Sequence, residues 1–400
     1  MSAAELIRAK HRQAAAFFER FGIDAWLISF ARETGLRPDP LAYLVGASVT
    51  WPSAFLLARD GRSTAIVATG DQPTFRELGI FDEVRAYVAS PREDLLAWLN
   101  EQQPKSLGVS WSASDDTADS ITHGMYVYLQ SLLAGTRWAD GLREAGDLAA
   151  EVRRVKLPEE IAGIRRAVSA CEELLARIER RLTVGISETA LQHEVQEWIR
   201  SAGYGFAWDA AVNPMVNFGP VAGLGHLLPR AGKQLEPGDV IHIDIGVLVD
   251  GFASDLQRTW YWRRGGEESA PAPVRRAFGA VVAALDAGTA ALRPGARGFE
   301  VDSASRETVA EWDFPEPQFA FGHHCGRVAH DGGGVLGPRW ERYGSGPEFS
   351  VGEGNVFAVE MDLEAEGYGG LVGVEEEVAV TADGLEWLSK RQTELGLLGP

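Results

Sequence analysis

The chain has 400 residues, 45% hydrophobic and 24% charged, which is the make-up of a globular protein long enough for two cores. Its net charge of −19 argues against nucleic acid or an anionic membrane as partner, since a polyanion repels both. The two cysteines, Cys171 and Cys325, make neither a disulfide framework nor a thiolate metal site, and no apolar run approaches the ~18 residues of a membrane span.

The opening stretch MSAAELIRAKHRQAAAFFERFG reads as a charged amphipathic helix rather than a signal peptide, so a cytoplasmic location is expected. After it, short β-rich runs alternate with helical ones: DAWLISF, then SAFLLARDGRSTAIVAT with a turn at Asp60-Gly61, the helix PREDLLAWLNEQ, and SLGVSW. This is the pattern of an α/β domain, with residues 1–148 as its expected extent. A long helix then starts at Pro158, whose fixed φ suits a first turn and whose followers Glu159 and Glu160 suit the helix dipole. A second helix opens at Ser187 and stops at Gly203, and two more are expected near 272–292 and 297–312. Strand-like runs at 206–213, 239–262, 354–366 and 371–381 complete residues 149–400. Helix pairs backing an antiparallel sheet make the expected fold class α+β. The Gly-rich stretch 326–355 is read as one long loop, a kind of segment that is usually functional or mobile.

The run VIHIDIGVLVDGFASDLQRTWYW places Asp244 and Asp255 inside an apparent core hairpin. With Asp250-Gly251 as a two-residue turn, Asp244 faces Gln257 and Asp255 faces Gly246, which leaves room beside it. The two aspartates then share a face as a diagonal pair, roughly 7–8 Å apart at the backbone. Ile241, Ile243 and Ile245 fall on the other face, as core. His242 shares the face of Asp244, where it either supports a ligand from behind or meets water. On this segment alone, two acids on the wet side of a half-exposed sheet are the better account. The segment FGHHCGRVAHD adds His323, His324 and His330, VFAVEMDLEAEG adds Glu360, and LVGVEEEVAVT adds Glu375. Four carboxylates and one imidazole suit a pair of divalent ions such as Mn²⁺, Co²⁺ or Zn²⁺. Without cations, burying four carboxylates together would be costly.

In order and approximate spacing, DIGVLVDGFASDLQRT, GHHCGRVAHD and the two late glutamates resemble the pita-bread metallopeptidases: methionine aminopeptidases, aminopeptidase P, prolidases and the related creatinases. LAYLVGASVTWPSAFLLARDGRSTAIV resembles the core of the N-terminal domain found in the proline-directed members. The resemblance implies a creatinase-like capping and oligomerisation domain at 1–148 and a pita-bread catalytic domain at 149–400. It implies Asp244, Asp255, His323, Glu360 and Glu375 as ligands of two metal ions, manganese being expected, with Asp255 and Glu375 bridging. His226, in VAGLGHLLPRAGKQLEPGD, matches a histidine that lines the substrate pocket, and His330 one that contacts the substrate carbonyl. Glu360 is the implied proton shuttle. The implied activity is hydrolysis of Xaa-Pro bonds, dipeptides before longer peptides, by a homodimer.

Two positions depart from the pattern: Gly373 stands where an arginine is common in proline-directed members, and Met361 where proline is. Loss of the arginine removes an anchor for a substrate carboxylate, for which Arg327, Arg339 and Arg342 are the available substitutes. A hydrolase or lyase of a small non-peptide compound and a non-catalytic binding protein are the alternatives on this fold. Cys325 is read as a buried filler, and Asp362, Glu364, Glu366, Glu376 and Glu377 as solvated acids. Trp51, Trp208 and Trp260 are candidates to wall an apolar pocket for proline.

Overall fold

The computed structural model describes the chain apart from residues 32–40, 114, 116, 117, 222, 224 and 226. It divides into two compact units, Met1–Arg154 and Val155–Pro400. The division falls beyond the expected 148/149 because the helix Gly146–Arg154 gives Leu148 and Val152 to the first unit's core.

In the first unit, α1 (Ala3–Phe21) is closed by a Ser2/Glu5 capping box and by left-handed Gly22. Strands β1 (Ala25–Ala31), β2 (Ser53–Ala58), β3 (Ser63–Ala68), β4 (Glu83–Tyr87), β5 (Leu107–Val109) and β6 (Leu142–Glu144) form one mixed sheet in the order β4-β3-β2-β1-β5-β6. The β2–β3 turn falls on Asp60-Gly61, where Gly61 has φ 85°. Apolar clusters cover both faces of the sheet.

The second unit holds the helix pairs and three sheets, of three, four and five strands. Its first pair is α2 (Pro158–Arg181), where Glu160 accepts from Leu157 N at 2.8 Å, and α3 (Glu188–Ser201), capped by Ser187. Its second pair is α4 (Ala272–Ala291) and α5 (Gly298–Glu311). The expected strand at 206–213 is shorter: β7 (Gly205–Phe206) gives way to a 3₁₀ turn capped by Asp209, and pairing resumes only at β8 (Met215–Phe218). The central hairpin comprises β9 (Val240–Ile245), β10 (Val247–Val249), β11 (Phe252–Ala253) and β12 (Leu256–Trp262). Its turn has φ 51° at Asp250 and φ 76° at Gly251, the primed geometry a two-residue hairpin needs. Asp244 consequently pairs with Gln257, and Ile241, Ile243 and Ile245 are fully buried.

The ladder breaks at Gly246, where the chain passes from one sheet to another. A Cβ at Gly246 would stand 2.2 Å from the Trp208 ring, so the space expected beside Asp255 is occupied by that indole. Strands β13 (Gly322–His324), β14 (Val335–Leu336), β15 (Val356–Glu364), β16 (Leu371–Thr381) and β17 (Gly384–Trp387) form the five-stranded sheet, in the order β14-β13-β15-β16-β17. The last strand, β18 (Gly396–Leu398), adds parallel to β12 at the edge of the four-stranded sheet β18-β12-β9-β8, while β11, β10 and β7 form a three-stranded one. The stretch 326–355 is not a continuous loop: it contains β14 and two 3₁₀ turns.

Alternation on β15 decides what faces what. Phe357, Val359, Met361 and Leu363 pack into the core with Val274, Ala277, Val281 and Leu285 of α4, which leaves Glu360 on the opposite face. Phe321 fills the side-chain-free surface of Gly288 on α4, where a Cβ would meet the ring at 2.3 Å, and so anchors the start of β13.

Candidate metal centre

Each implied ligand rests on regular or tightly bonded backbone. Asp244 is on β9, Asp255 just before β12, His323 on β13, Glu360 on β15 and Glu375 on β16. Glu360 and Glu375 are directly opposed across their ladder, and His323 faces Ala358, two residues from Glu360. His323 Nε2 lies 3.8 Å from Asp255, 3.7 Å from Glu375 and 4.0 Å from Glu360. Donor atoms of three overlapping sets fall within 4.8 Å of one another: Asp244, Asp255 and Glu375; His323, Glu360 and Glu375; Asp255, His323 and His330. The His323 and His330 rings meet edge to face, with centroids 4.2 Å apart. The sequence candidates therefore converge, except His226, which lies outside the described residues.

The electrostatics suit cations. Asp244, Asp255 and Glu375 are buried, and burial, reinforced by neighbouring carboxylates, holds all three carboxyls well above the usual range. Burial also pushes Glu360 up to about 7, against an opposing hydrogen bond from Gln257. Asp244 Oδ1 and Glu375 Oε2 are buried and, among the described residues, have no hydrogen-bond partner. Such oxygens, crowded beside an imidazole, fit a pair of divalent ions: the positive charge removes the repulsion and the open lone pairs become ligands.

A cavity of about 260 Å³ opens over these residues, lined also by Trp208, Asp209, Val212, Met215, Gln257 and His330. Trp208 is fixed by its own indole N–H, which donates to Val212 O at 3.1 Å. Within the second unit, Trp260 does not join it. Trp260 is buried against Gly396 beside a different hollow, and Trp51 belongs to the first unit. The three candidate arginines are engaged elsewhere. Arg327 stacks on Phe252, Arg339 pairs with Glu348, and Arg342 bonds Gln318 O. Cys325 is fully buried, as a filler should be, and burial raises its thiol.

Several acids expected at the surface are inside. Glu364 and Glu366 are exposed, but Glu376 and Glu377 are buried. Glu376 pairs with Arg258 at 3.0 Å and accepts from Ser389. Glu377 accepts from Asp255 N at 2.6 Å and so holds a ligand's backbone. Asp362 Oδ1 is a buried oxygen with no hydrogen-bond partner among the described residues. Gln257 and Glu377 carry parts of the site that spacing did not mark out; the only sequence signal was that both lie two residues from a ligand, on its strand face.

A pH dependence follows. Burial raises Glu360 to about 7 and Glu377 to about 8, so the folded metal-free chain binds more protons than the unfolded one. That contribution is complete below the unfolded carboxylate value and is lost as pH rises through the folded values. Metal-free protein is expected to lose on the order of 5–10 °C in Tm between about pH 5 and pH 8. Mn²⁺ should restore more at the higher pH, as scanning fluorimetry can test; a Tm that rises with pH in the metal-free protein would contradict this account.

A model of metallopeptidase family M24 matches residues 162–382, more than half of the chain. The Xaa-Pro dipeptidase of Pyrococcus furiosus is 26% identical over 254 residues, 63% of this chain and 68% of that protein. Among solved structures, the Xaa-Pro dipeptidase from Bacillus anthracis superposes with a TM-score of 0.75 at 19% identity, covering 98% of this chain and all of the other (100%). The X-Pro aminopeptidase from Thermotoga maritima gives 0.73 at 22% identity, covering 95% of this chain and 99% of that one. The two structural likenesses show a shared fold.

Proposed function

The chain belongs to metallopeptidase family M24, and on that footing we propose that it hydrolyses Xaa-Pro bonds at the N-terminal end of short peptides, Xaa-Pro dipeptides first. The observation that carries this reading is the convergence of Asp244, Asp255, His323, Glu360 and Glu375, with open carboxylate lone pairs, beneath a cavity walled by an indole. The relative's printed name supplies proline as the expected leaving residue.

These five residues would hold the two ions. When bound, the ions supply Lewis acidity to a substrate carbonyl and to the attacking water. The protein's own groups do the rest. Glu360 Oε2 accepts from Gln257, which leaves Oε1 to take the proton of the attacking water and pass it to the departing imino nitrogen. His330, which lines the cavity, would donate a ring N–H to the scissile carbonyl oxygen as negative charge develops there. His226 is assigned the pocket-lining role by family likeness alone. Trp208, Val212 and Met215 offer the apolar wall that a pyrrolidine ring would fill. Manganese as the ion, a homodimeric state and a cytoplasmic location belong to the same proposal and rest on family likeness.

A second reading, an aminopeptidase for longer Xaa-Pro peptides, is favoured by one observation: among the described residues, no lysine or arginine lines the cavity to hold the free carboxylate of a dipeptide. Proline release from matched Xaa-Pro and Xaa-Pro-Xaa substrates, by metal-free and Mn²⁺-reloaded protein, tests both. Metal-dependent cleavage of the dipeptide is expected. Cleavage of the tripeptide alone would replace the first reading by the second. Failure on both, with two ions bound per chain, would overturn the proline assignment and favour a non-peptide substrate.

A further inference from the structure

Four polar or unusual positions that the metal set does not use meet at one point. Gln257 pairs with Asp244 across the hairpin, and its side chain lies on the cavity wall. Its amide nitrogen donates to Glu360 Oε2 at 2.8 Å. Its amide oxygen lies 3.0 Å from His242 Nε2. His242 is buried, 2% exposed, on the same strand face as Asp244 and two residues before it.

Gly373 completes the arrangement. It is opposed to Asp362 on β15. A Cβ at this position would stand 2.8 Å from both Gln257 Oε1 and His242 Nε2, and 2.1 Å from Asp362 Oδ1. Any side chain here would therefore push apart the contact between His242 and Gln257. The backbone itself is pinned, because Thr259 Oγ1 donates to Gly373 O at 2.7 Å and accepts from Gly373 N at 3.0 Å. Gly373 thus cannot retreat to make room.

Proton bookkeeping gives the contacts a direction. A carboxylate only accepts, so the Gln257 end that meets Glu360 must be its NH₂ group. The other end is then a carbonyl oxygen, which only accepts, so His242 must carry its proton on Nε2. The chain of donors runs from imidazole to amide to carboxylate, and the amide cannot flip without breaking both bonds.

We propose that Gln257, oriented by His242 in the space that Gly373 leaves open, is a positioning residue for Glu360. It occupies Oε2 and turns Oε1 toward His323, which lies 4.0 Å away in the metal set. The inference rests on the metallopeptidase reading above and adds to it the residue that fixes the orientation of the glutamate assigned as proton shuttle. It also accounts for glycine at 373, where the family likeness would place an arginine: the His242–Gln257 pair and Asp362 fill that volume instead.

The test compares full-length Gln257→Met, His242→Leu, His242→Gln and Gly373→Ala with the parent chain. Mn²⁺ binding is measured by calorimetry, kcat and KM by proline release, and Tm on the metal-free protein. Removal of a group that orients a ligand typically weakens metal binding or turnover by about 10–100-fold. Gln257→Met is expected to weaken the tighter Mn²⁺ site by about tenfold and to lower kcat by at least that factor, with KM changed less than about threefold and Tm held. His242→Leu and Gly373→Ala should show the same kcat-selective loss. His242→Gln, whose amide can still donate, should recover most of what His242→Leu loses. Parental Mn²⁺ affinity and kcat in Gln257→Met would overturn the proposal, as would equal losses in the two His242 variants. Should the parent chain release no proline, the proline reading fails on its own, while the Mn²⁺ titrations still decide whether Gln257 orients a ligand.

Discussion

Asp244→Asn is expected to abolish metal loading and to cut turnover by about 10³-fold or more, well beyond the 10–100-fold cost of losing an outer partner. Asp244 is held between Met215 on β8 and Gln257 on β12, so the substitution keeps its backbone and most of its shape. What changes is charge. The Asp244 carboxyl is held well above its ordinary range by burial, then by the nearby Glu360 and Asp362 carboxylates. Neutral asparagine removes that repulsion and removes a ligand in the same step. The metal-free variant should therefore melt no lower than the metal-free parent at neutral pH, although it no longer gains from Mn²⁺. His323→Ala should be equally silent, because its ring nitrogen bridges the distance between Asp255, Glu360 and Glu375. Metal content by mass spectrometry, together with proline release, checks both variants. Full metal content with full activity in either one would sink the assignment of this cluster.

Lys156→Met should cost about 3–5 kcal/mol, because it leaves a deeply buried carboxylate without its ammonium. Lys156 Nζ and Asp331 Oδ2 are 2.5 Å apart, and both side chains are 0% exposed. Backbone bonds tie the pair into the site: Lys156 N donates to Gly354 O, and Asp331 N donates to His324 O, both at 2.8 Å. Asp331 directly follows His330, so losing the ion pair is expected to loosen the histidine as well as the fold. Denaturant titration followed by a tryptophan of the second unit reads the stability, and kcat reads the displacement. The double variant Lys156→Met/Asp331→Leu should regain most of the lost stability, since the charge is then removed with its partner. A single variant as stable as the parent would show that the pair contributes nothing.

Much of this centre was legible in the order of residues. Asp250-Gly251 determines a two-residue turn, that turn determines register, and register places Asp244 opposite Gln257, as found. Pro158, Ser187 and Gly203 mark helix ends for the same local reason. Depth was not legible. Alternation assigns a residue to a face but does not say whether another layer covers that face. Glu376 and Glu377 therefore read as solvated acids until Arg258 and Asp255 N, distant in sequence, close over them. Likewise Gly246 looked like empty space beside Asp255, and only the fold puts the Trp208 indole there.

The sequence by itself, through the residue order and spacing that carry the family resemblance, named the five groups that the structure brings together. Tertiary structure alone decided what surrounds those groups. It chose Trp208 over Trp260 as the cavity wall, and it kept the candidate arginines away. It also joined His242, Gln257 and Glu360 behind the metal site, against the bare surface of Gly373. The physical reason is range. A turn or a cap is settled by a few neighbouring torsions, whereas the partner of a buried polar atom is settled by which strands two sheets bring face to face.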